Sequence, residues 1–287
     1  MSEISVAPDP AGSKKYGIAI IANDRMIDWL LPFLESYAET SASIPLYLIP
    51  YDENIARTSA IAATYGAEVV SIESSELDAL TRRLYPFNPT HRRRVRKLLA
   101  LALPLDEVIY IDIDTIILQD FSRLLGHIRA GHTDFIVSTR CFDYIFNSRY
   151  KGYDFLRDAL LFSDGFFVTS RHVLSLKDFY DVVSQDERAF HAVRHRGGVF
   201  SQPLTNFVVH RRNLKLATIP DIVPAASGES YYKAEGLAMT PDGPVDVKGE
   251  KLYFCHWPGI IGLPRHRREV DLLWHQLAQK AAARVKP

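Results

Sequence analysis

Residues 107–118 read EVIYIDIDTIIL, and this stretch carries the strongest structural and chemical signal in the chain. It begins with an almost continuous apolar run, which is typical of a strand buried on both faces of a parallel sheet. Asp112 and Asp114 follow at the end of that run. Side chains two residues apart on an extended chain point to the same side, so both carboxylates can converge on one hard cation while Ile113 turns into the core.

The negative charges of Asp112 and Asp114 must be balanced if both side chains lie at the buried end of a strand. Adjacent carboxylates at the buried end of an apolar strand are costly unless a cation, hydrogen bonds or solvent offset them. Mn²⁺ or Mg²⁺ would do so and would share its other coordination positions with water and substrate phosphates. A bound ion stabilises charge on a departing diphosphate, which indicates group transfer from a nucleotide-activated donor. The alternative is a solvated loop in which Asp114 or Thr115 caps the next helix.

Strand and helix patterns alternate on the N-terminal side of this stretch. Residues 16–22 (YGIAIIA) have a strand pattern, a helical pattern follows, and strand patterns recur around Tyr47 and Val70. Residues 92–103 carry an apolar helical stripe. Such alternation predicts an α/β fold, a Rossmann-like and mostly parallel sheet flanked by helices. Its ligand sites are expected beyond the carboxyl ends of the strands.

The pattern changes after Leu118. Shorter strand patterns follow, and the Pro- and Gly-bearing residues 220–249 are predicted to form a loop with local turns. The strand patterns are centred near Ile136, Phe167, Leu216 and Phe254. We therefore predict a mixed sheet in a single large domain over residues 16–287, with a C-terminal helix and a disordered tail over residues 1–15.

The composition excludes several classes of protein. With 47% apolar and 24% charged residues, the chain has the composition of a soluble globular protein. Its 34 Lys+Arg cancel its 34 Asp+Glu, so no net field holds it on nucleic acid or an anionic membrane. There is neither a membrane-spanning apolar run nor a secretory signal, so a cytoplasmic protein is expected. Cys141 and Cys255 are expected to be small buried residues.

Five segments, taken in order, resemble a known family. They are AIIANDRM (19–26), RKLLALALPLDEVIYIDIDTIIL (96–118), LLFSDGFFVTS (160–170), SQPLTN (201–206) and FCHWPGIIGLPRH (254–266). Together they resemble the GT-A fold glycosyltransferases, closest to family eight, which includes glycogenin and bacterial lipopolysaccharide galactosyl- and glucosyltransferases. The acidic motif and the histidine segment are the specific parts of this resemblance.

The resemblance implies a metal site and a donor site. It makes Asp112 and Asp114 the family's DXD motif, which binds Mn²⁺ or Mg²⁺, and makes His256 the third ligand. From the residues alone, a histidine after an apolar strand is more typical of a hydrogen-bonded structural role. Asp164 and Gln202 are expected to be catalytic. The expected donor-binding residues are Ala22, Asn23, Asp24, Arg96, Ile113, Ser163, Gly165, Gly259 and Arg265.

The chain departs from the family pattern at two places. Ser201 and Pro203 replace both acids of the family's Asp-Gln-Asp motif, and Ser163 stands where Asn is more common. The identity of the transferred sugar therefore does not follow from the resemblance.

The implied activity is metal-dependent transfer of a hexose from a nucleotide diphosphate sugar, a UDP-sugar, with retention of configuration. The acceptor is a hydroxyl of a glycan, lipid or small molecule, and no nucleic acid takes part. Residues 16–118 would bind the nucleotide, and residues 119–287 the acceptor and the sugar.

Two alternatives remain open. The DIDT sequence also matches haloacid-dehalogenase-like phosphatases, in which Asp112 would attack phosphorus and Asp114 would be the acid/base. The altered SQPLTN segment is also compatible with a GT-A domain that binds sugar nucleotide or glycan without catalysis.

Overall fold

A computed structural model of the chain describes residues 15–87, 89–139, 154–156, 158–185, 201–231, 237–258, 263–264 and 268–285. The strands in these ranges are β1 (Tyr16–Ala22), β2 (Leu46–Pro50), β3 (Glu68–Val69), β4 (Glu107–Ile111), β5 (Thr115–Ile117), β6 (Phe135–Val137), β7 (Phe166–Ser170), β8 (Leu216–Thr218), β9 (Ala226–Tyr231), β10 (Ala238–Thr240), β11 (Gly243–Val245) and β12 (Lys251–His256). The helices are α1 (Ile27–Thr40), α2 (Ala56–Ala63), α3 (Ser75–Leu84), α4 (Pro89–Arg94), α5 (Ser122–Arg129), α6 (Leu176–Gln185), α7 (Ser201–Arg211), α8 (Ile219–Ile222) and α9 (Glu269–Arg284), with 3₁₀ helices at Asp24–Met26, Val95–Ala102 and Asp154–Leu156.

The main sheet of the described residues has seven strands in the order β3-β2-β1-β4-β7-β6-β8. β1 runs parallel to β2 and β4, whereas β7 is antiparallel to both β4 and β6. Ile18 and Ile20 of β1 enter one hydrophobic core, and Ala19 and Ile21 enter the core on the opposite face. The continuous apolar run of this strand therefore reflects burial on both faces, and the predicted α/β fold is confirmed.

The segment before β4 is not one regular helix. α4 ends at Arg94, and a 3₁₀ helix continues from Val95 to Ala102. Val95, Leu98 and Leu101 are spaced by three residues and are buried. This spacing matches the three residues per turn of a 3₁₀ helix, so its apolar edge faces the core. Pro104 follows two residues after the helix.

A smaller sheet includes β5, the strand that follows β4 in the chain. It contains β10, β11, β12 and β5 in that order, and β9 also pairs with β12. The prediction of a loop over residues 220–249 was wrong, because β9, β10 and β11 lie there. These strands gain their hydrogen bonds from β12 and from each other. Gly243, at φ +107°, allows the tight turn between β10 and β11.

Other expectations concern the chain as a whole. None of the helices within the described ranges has the length and hydrophobicity needed to cross a bilayer. Cys255 is fully buried in β12, as expected. Cys141 and residues 1–14 lie outside the described residues.

Candidate metal and donor site

Two carboxylates and an imidazole meet where β4 and β12 end. Asp112, Asp114 and His256 each offer one ligand atom, and these atoms lie within 4.8 Å of one another. Nε2 of His256 lies 3.1 Å from Oδ1 of Asp114. The side chains of Asp112 and Asp114 are 26% and 28% exposed, whereas that of His256 is 4% exposed. Solvent therefore reaches the two carboxylates, whereas the imidazole of His256 is shielded from it.

Strand register brings His256 to the acidic pair across 142 residues of sequence. β12 pairs antiparallel with β5, so that His256 lies opposite Thr115. The backbone N–H of Trp257 donates to the carbonyl of Asp114 at 2.8 Å. The hydroxyl of Thr115 donates to the carbonyl of Asp112 at 2.7 Å, which holds the turn between the two aspartates. Backbone pairing, and not only side-chain contact, thus fixes the three residues together.

Gly165, predicted to bind the donor, lies directly against this group. Its carbonyl accepts from the backbone N–H of Asp112 at 2.8 Å. A Cβ at position 165 would lie 2.9 Å from Cε1 of His256 and 3.0 Å from Oδ2 of Asp112. Glycine is therefore required here by the close approach of β7 to the candidate ligands.

A buried cation lies beside the acidic pair. Nζ of Lys97 is 3.2 Å from Oδ2 of Asp112 and 3.2 Å from Oδ1 of Asp164. Burial alone would lower the pKa of Lys97, but the carboxylates of Asp112 and Asp164 reverse this effect and raise it above its ordinary value. Arg96, the residue expected from the resemblance, instead donates from Nε to the carbonyl of Pro50 at 3.0 Å.

Tyr110 is a contact of Asp112 that the sequence reasoning missed. Its hydroxyl donates to Oδ1 of Asp112 at 2.5 Å. Burial raises the pKa of Tyr110 well above its usual value, and the carboxylate of Asp112 adds to this, so the phenol stays protonated as a donor. The sequence held a signal for this contact, because residues 110 and 112 lie two apart on an extended strand and share a side.

Opposing charges act on Asp112. Burial raises the pKa of this carboxyl, and the neighbouring Asp114 raises it further. Lys97, His256 and the hydrogen bond from Tyr110 lower it, but the net direction is upward. An additional cation at this position would therefore relieve an unfavourable burial of negative charge.

The altered SQPLTN segment forms the first turns of α7, next to Asp164. Asp164 is 3% exposed, and its Oδ2 accepts from the hydroxyl of Thr205 at 3.2 Å. The carboxamide of Asn206 binds the backbone N–H and carbonyl of Phe162 at 3.0 and 2.7 Å. The backbone carbonyl of Gln202 accepts from Nδ2 of Asn206 at 2.9 Å, and Gln202 itself is partly exposed. α7 is thus fixed to the segment that leads into β7.

Ser163 lies between these contacts and the glycine. It is 5% exposed, and its hydroxyl accepts from the N–H of Gly165 at 3.3 Å. The structure therefore brings Ser163, Asp164 and Gly165 together beside the candidate metal ligands.

The exit of β1 is stabilised by two side chains from the predicted donor set. Nδ2 of Asn23 donates to Oδ2 of Asp52 at 2.9 Å. Oδ1 of Asp24 accepts from the backbone N–H and the hydroxyl of Thr58 at 2.8 and 2.9 Å. The backbone bond from Thr58 is the main reason that the pKa of Asp24 lies below its ordinary value. Both residues therefore tie the edge of the sheet to the segments that follow β2.

The remaining predicted donor residues differ in their surroundings. Ala22 is fully buried, and its carbonyl accepts from the N–H of Tyr51 at 2.9 Å. The side chain of Ile113 is buried in the core, as the alternation of side chains predicts. Gly259 and Arg265 lie outside the described residues.

No family model matches the sequence, and no curated protein matches it. Solved structures do match the fold. The apo structure of the WbbM bifunctional glycosyltransferase superposes with a TM-score of 0.59 at 12% identity, over 97% of this chain and 53% of that one. The galactosyltransferase LgtC, in complex with donor and acceptor sugar analogs, gives 0.59 at 13% identity, over 92% and 95% of the two chains. Apo GlyE from Streptococcus pneumoniae TIGR4 gives 0.56 at 10% identity, over 95% and 62%.

The chain has a GT-A fold. At these identities the likeness concerns the fold alone, and the chain spans about half the length of WbbM. In this GT-A fold, Asp112 and Asp114 follow β4 in the middle of the main sheet, and the smaller sheet supplies His256.

Proposed function

We propose that this chain is a metal-dependent glycosyltransferase that moves a hexose from a UDP-sugar to a hydroxyl acceptor, with retention of configuration. The observation that carries this proposal is the group formed by Asp112, Asp114 and His256 at the end of the central strand of a GT-A fold. LgtC, one of the structural neighbours, was crystallised with analogs of a donor and an acceptor sugar. The cytoplasmic location expected from the sequence belongs to the same proposal.

The three residues fit a divalent ion. Two carboxylate oxygens and one imidazole nitrogen form a donor set that suits Mn²⁺, and the oxygens suit Mg²⁺. Because Mg²⁺ binds its ligands at about 2.1 Å, two ligands of one ion are at most about 4.2 Å apart. The ligand atoms here lie within 4.8 Å of one another, so the widest pair would move together by about half an ångström or more to share one ion. When bound, the ion supplies stabilisation of the charge on a departing diphosphate.

The buried polar residues orient the site around the ligands. Lys97 binds Asp112 and Asp164 at once, so it sets the distance between a candidate ligand and the carboxylate expected at the donor sugar. Thr205 holds the other oxygen of Asp164. These contacts fix the orientation of the Asp164 carboxylate beside the candidate ligands.

The surroundings of Asp164 and Gln202 support retention. Inversion requires a general base that removes the proton of the acceptor on the face opposite the leaving group. Gln202 has no basic group, and the oxygens of Asp164 are occupied by Lys97 and Thr205. Neither residue is therefore well suited to act as that base.

The alternatives are not favoured. The strand that leads to Asp112 lies in the middle of a GT-A sheet, and the structural neighbours of that sheet are named as glycosyltransferases and not as phosphatases. The same names favour sugar transfer over binding without catalysis.

Replacement of Asp114 by asparagine tests the proposal. Mn²⁺ affinity is measured by calorimetry, and sugar release from UDP-sugars is measured in the presence of Mn²⁺. The Asp114→Asn variant should bind Mn²⁺ at least tenfold more weakly and lose sugar release. The control is Asp120→Asn, an exposed position where asparagine can still cap the N–H of Ser122. Unchanged Mn²⁺ affinity in Asp114→Asn would refute the metal site.

Nucleotide binding is tested separately by thermal unfolding. A ligand present at 100 times its Kd stabilises the native state by about 2.7 kcal/mol. UDP together with Mn²⁺ should therefore raise the melting temperature by several degrees, and UDP alone should raise it much less. Equal shifts with and without Mn²⁺ would contradict a nucleotide site that depends on the ion.

A further inference from the structure

The basic residues of this chain are unevenly distributed, although its net charge is zero. Residues 79–105 (ALTRRLYPFNPTHRRRVRKLLALALPL) contain six arginines and one lysine and no aspartate or glutamate. Lys97 contacts the acidic group of the site, and Arg96 donates to the carbonyl of Pro50. The five other arginines flank a turn between α3 and α4, and the sugar-transfer site does not account for them.

The turn exposes a large aromatic side chain. Phe87 is 93% exposed, the highest exposure of any large hydrophobic residue that the structure describes. Arg82 and Arg83 are exposed in the last turn of α3, and Arg94 is exposed at the end of α4. We refer to residues 82–87 and 89–94 as the Phe87 tip. An aromatic ring surrounded by cations is the pattern of a protein surface that enters the interface of an anionic bilayer.

Several backbone groups of the tip need no water. Pro86 and Pro89 have no N–H group, so two backbone donors that would lose hydration are absent. The guanidinium of Arg92 donates from Nε to the carbonyl of Tyr85 at 2.8 Å and also donates to the carbonyl of Pro86. Because unpaired backbone groups are what makes irregular chain costly in an apolar medium, this tip is well suited to partial insertion.

Arg92 and Arg93 keep positive charge available at the same surface. Arg92 is bound to two uncharged carbonyls, so its positive charge is not cancelled by them. Arg93 is 41% exposed and faces Asp52 and Glu53 at 3.5 and 3.9 Å, which are long distances for ion pairs. Lipid phosphates can therefore compete for these side chains.

The tip is close to the site along the chain. Phe87 precedes Lys97 by ten residues, and α4 and the 3₁₀ helix occupy most of that segment. A rise of about 1.5–2 Å per residue puts Pro89, at the start of α4, roughly 12–16 Å from Lys97 along the helix axis. A bilayer surface that binds the tip would thus lie near the opening of the site.

We propose that the Phe87 tip anchors this protein to the surface of a membrane that contains anionic lipid. Phe87 inserts among the headgroups, and the flanking arginines bind lipid phosphates. This interaction is independent of the proposed sugar transfer, and it requires only the local separation of charge, not a net charge on the chain.

Vesicle flotation with the full chain tests the proposal. One set of vesicles contains equal parts of phosphatidylglycerol and phosphatidylcholine, and the other contains phosphatidylcholine alone. Binding should be confined to the anionic vesicles and should weaken as salt increases. Phe87→Ala should reduce the partition coefficient about tenfold, and Arg82→Gln with Arg83→Gln about fivefold for each charge removed.

A second exposed patch provides a matched control. Val247 is 69% exposed, with Lys248 and Lys251 close by in sequence. Val247→Ala, and Lys248→Gln with Lys251→Gln, should leave vesicle binding within a factor of two. Circular dichroism and the melting temperature show that each variant folds. Sugar release is assayed in parallel, so failure of the anchor and failure of the proposed activity are seen separately.

A Phe87→Trp variant gives a direct readout of insertion. Its fluorescence should shift to the blue only with anionic vesicles, against the background of Trp257 and Trp274, which are buried, and of Trp29, which is partly buried. Equal binding to both kinds of vesicle would overturn the proposal. Unchanged binding in Phe87→Ala, together with competition by inorganic polyphosphate, would identify a site for soluble polyanions and would also overturn it.

Discussion

Replacing Gly165 by alanine changes the geometry of the candidate metal site without removing a ligand. The new Cβ would lie 2.9 Å from Cε1 of His256 and 3.0 Å from Oδ2 of Asp112, whereas ordinary contact begins at 3.4 Å. The neighbours must therefore move by about 0.4–0.5 Å to restore van der Waals contact. His256 is 3% exposed and is fixed by its pairing opposite Thr115, so it has little room to retreat.

Two effects follow from this displacement. Overpacking costs about 1–3 kcal/mol of folding free energy. The displaced imidazole also binds a metal less well, and changes in the support of a ligand typically weaken metal affinity by about 10- to 100-fold. Calorimetric titration with Mn²⁺ measures the second effect, and urea unfolding without metal measures the first.

Two glycines serve as controls for Gly165→Ala. Gly17→Ala places a Cβ 2.4 Å from the ring of Tyr47, so it should destabilise the fold. It lies at the start of β1, the end away from the site, and should leave Mn²⁺ affinity unchanged. Gly126→Ala has nothing within 4 Å and lies in α5, so it should stabilise the fold by about 0.5–1 kcal/mol. A folded Gly165→Ala protein that binds Mn²⁺ within twofold of the wild type would refute the reasoning.

Two further predictions concern buried ionisable groups. Lys97→Met leaves the buried carboxylate of Asp164 without its cation and should lower the free energy of unfolding in urea by about 3 kcal/mol. Lys97→Arg keeps the charge and should lower it much less. Equal losses in the two variants would mean that the charge of Lys97 is not the cause. Burial lowers the pKa of His210, whose ring is hydrogen-bonded to the carbonyl of Leu160. Below about pH 6.5 the unfolded chain therefore binds more protons at this residue than the folded chain does. The free energy of unfolding should thus decrease as the pH is lowered through this range. His210→Gln should flatten that decline between pH 7.5 and 5.5 in melting experiments, and an unchanged slope would assign it to other groups.

The elements that the sequence predicted best are the strands that are buried on both faces. β1 and β4 are apolar on both faces, so their hydrophobic runs identify them without knowledge of their neighbours. β9 was not predictable in this way. Its hydrogen bonds come from β12, which lies at least 20 residues further along the chain. Strand pairing between distant segments has no signature in the shorter segment alone.

The site residues also divide into those that local spacing predicts and those that pairing between distant strands positions. The spacing of Asp112 and Asp114 predicts that they lie on one side, because residues two apart on an extended chain share a face. The position of His256 depends on the register between β5 and β12, which only the resemblance could suggest. Arg96 and Lys97 are adjacent in the chain, and the charge pattern does not say which of them reaches the acidic pair. In the structure Lys97 contacts Asp112, whereas Arg96 donates to the carbonyl of Pro50.

The charges at the site also account for the type of cation that fits it. Asp112, Asp114 and Asp164 carry three formal negative charges, and Lys97 carries one positive charge, so the cluster has a formal charge of about −2 when the imidazole is neutral. Lys97 lies between Asp112 and Asp164, which leaves Asp114 with His256 as its contact. A monovalent ion would leave one charge uncompensated in a partly buried position, whereas a dication brings the cluster to neutrality. Neutrality also removes the repulsion that the acidic group would exert on an approaching diphosphate, so binding of the ion and of the nucleotide should each strengthen the other.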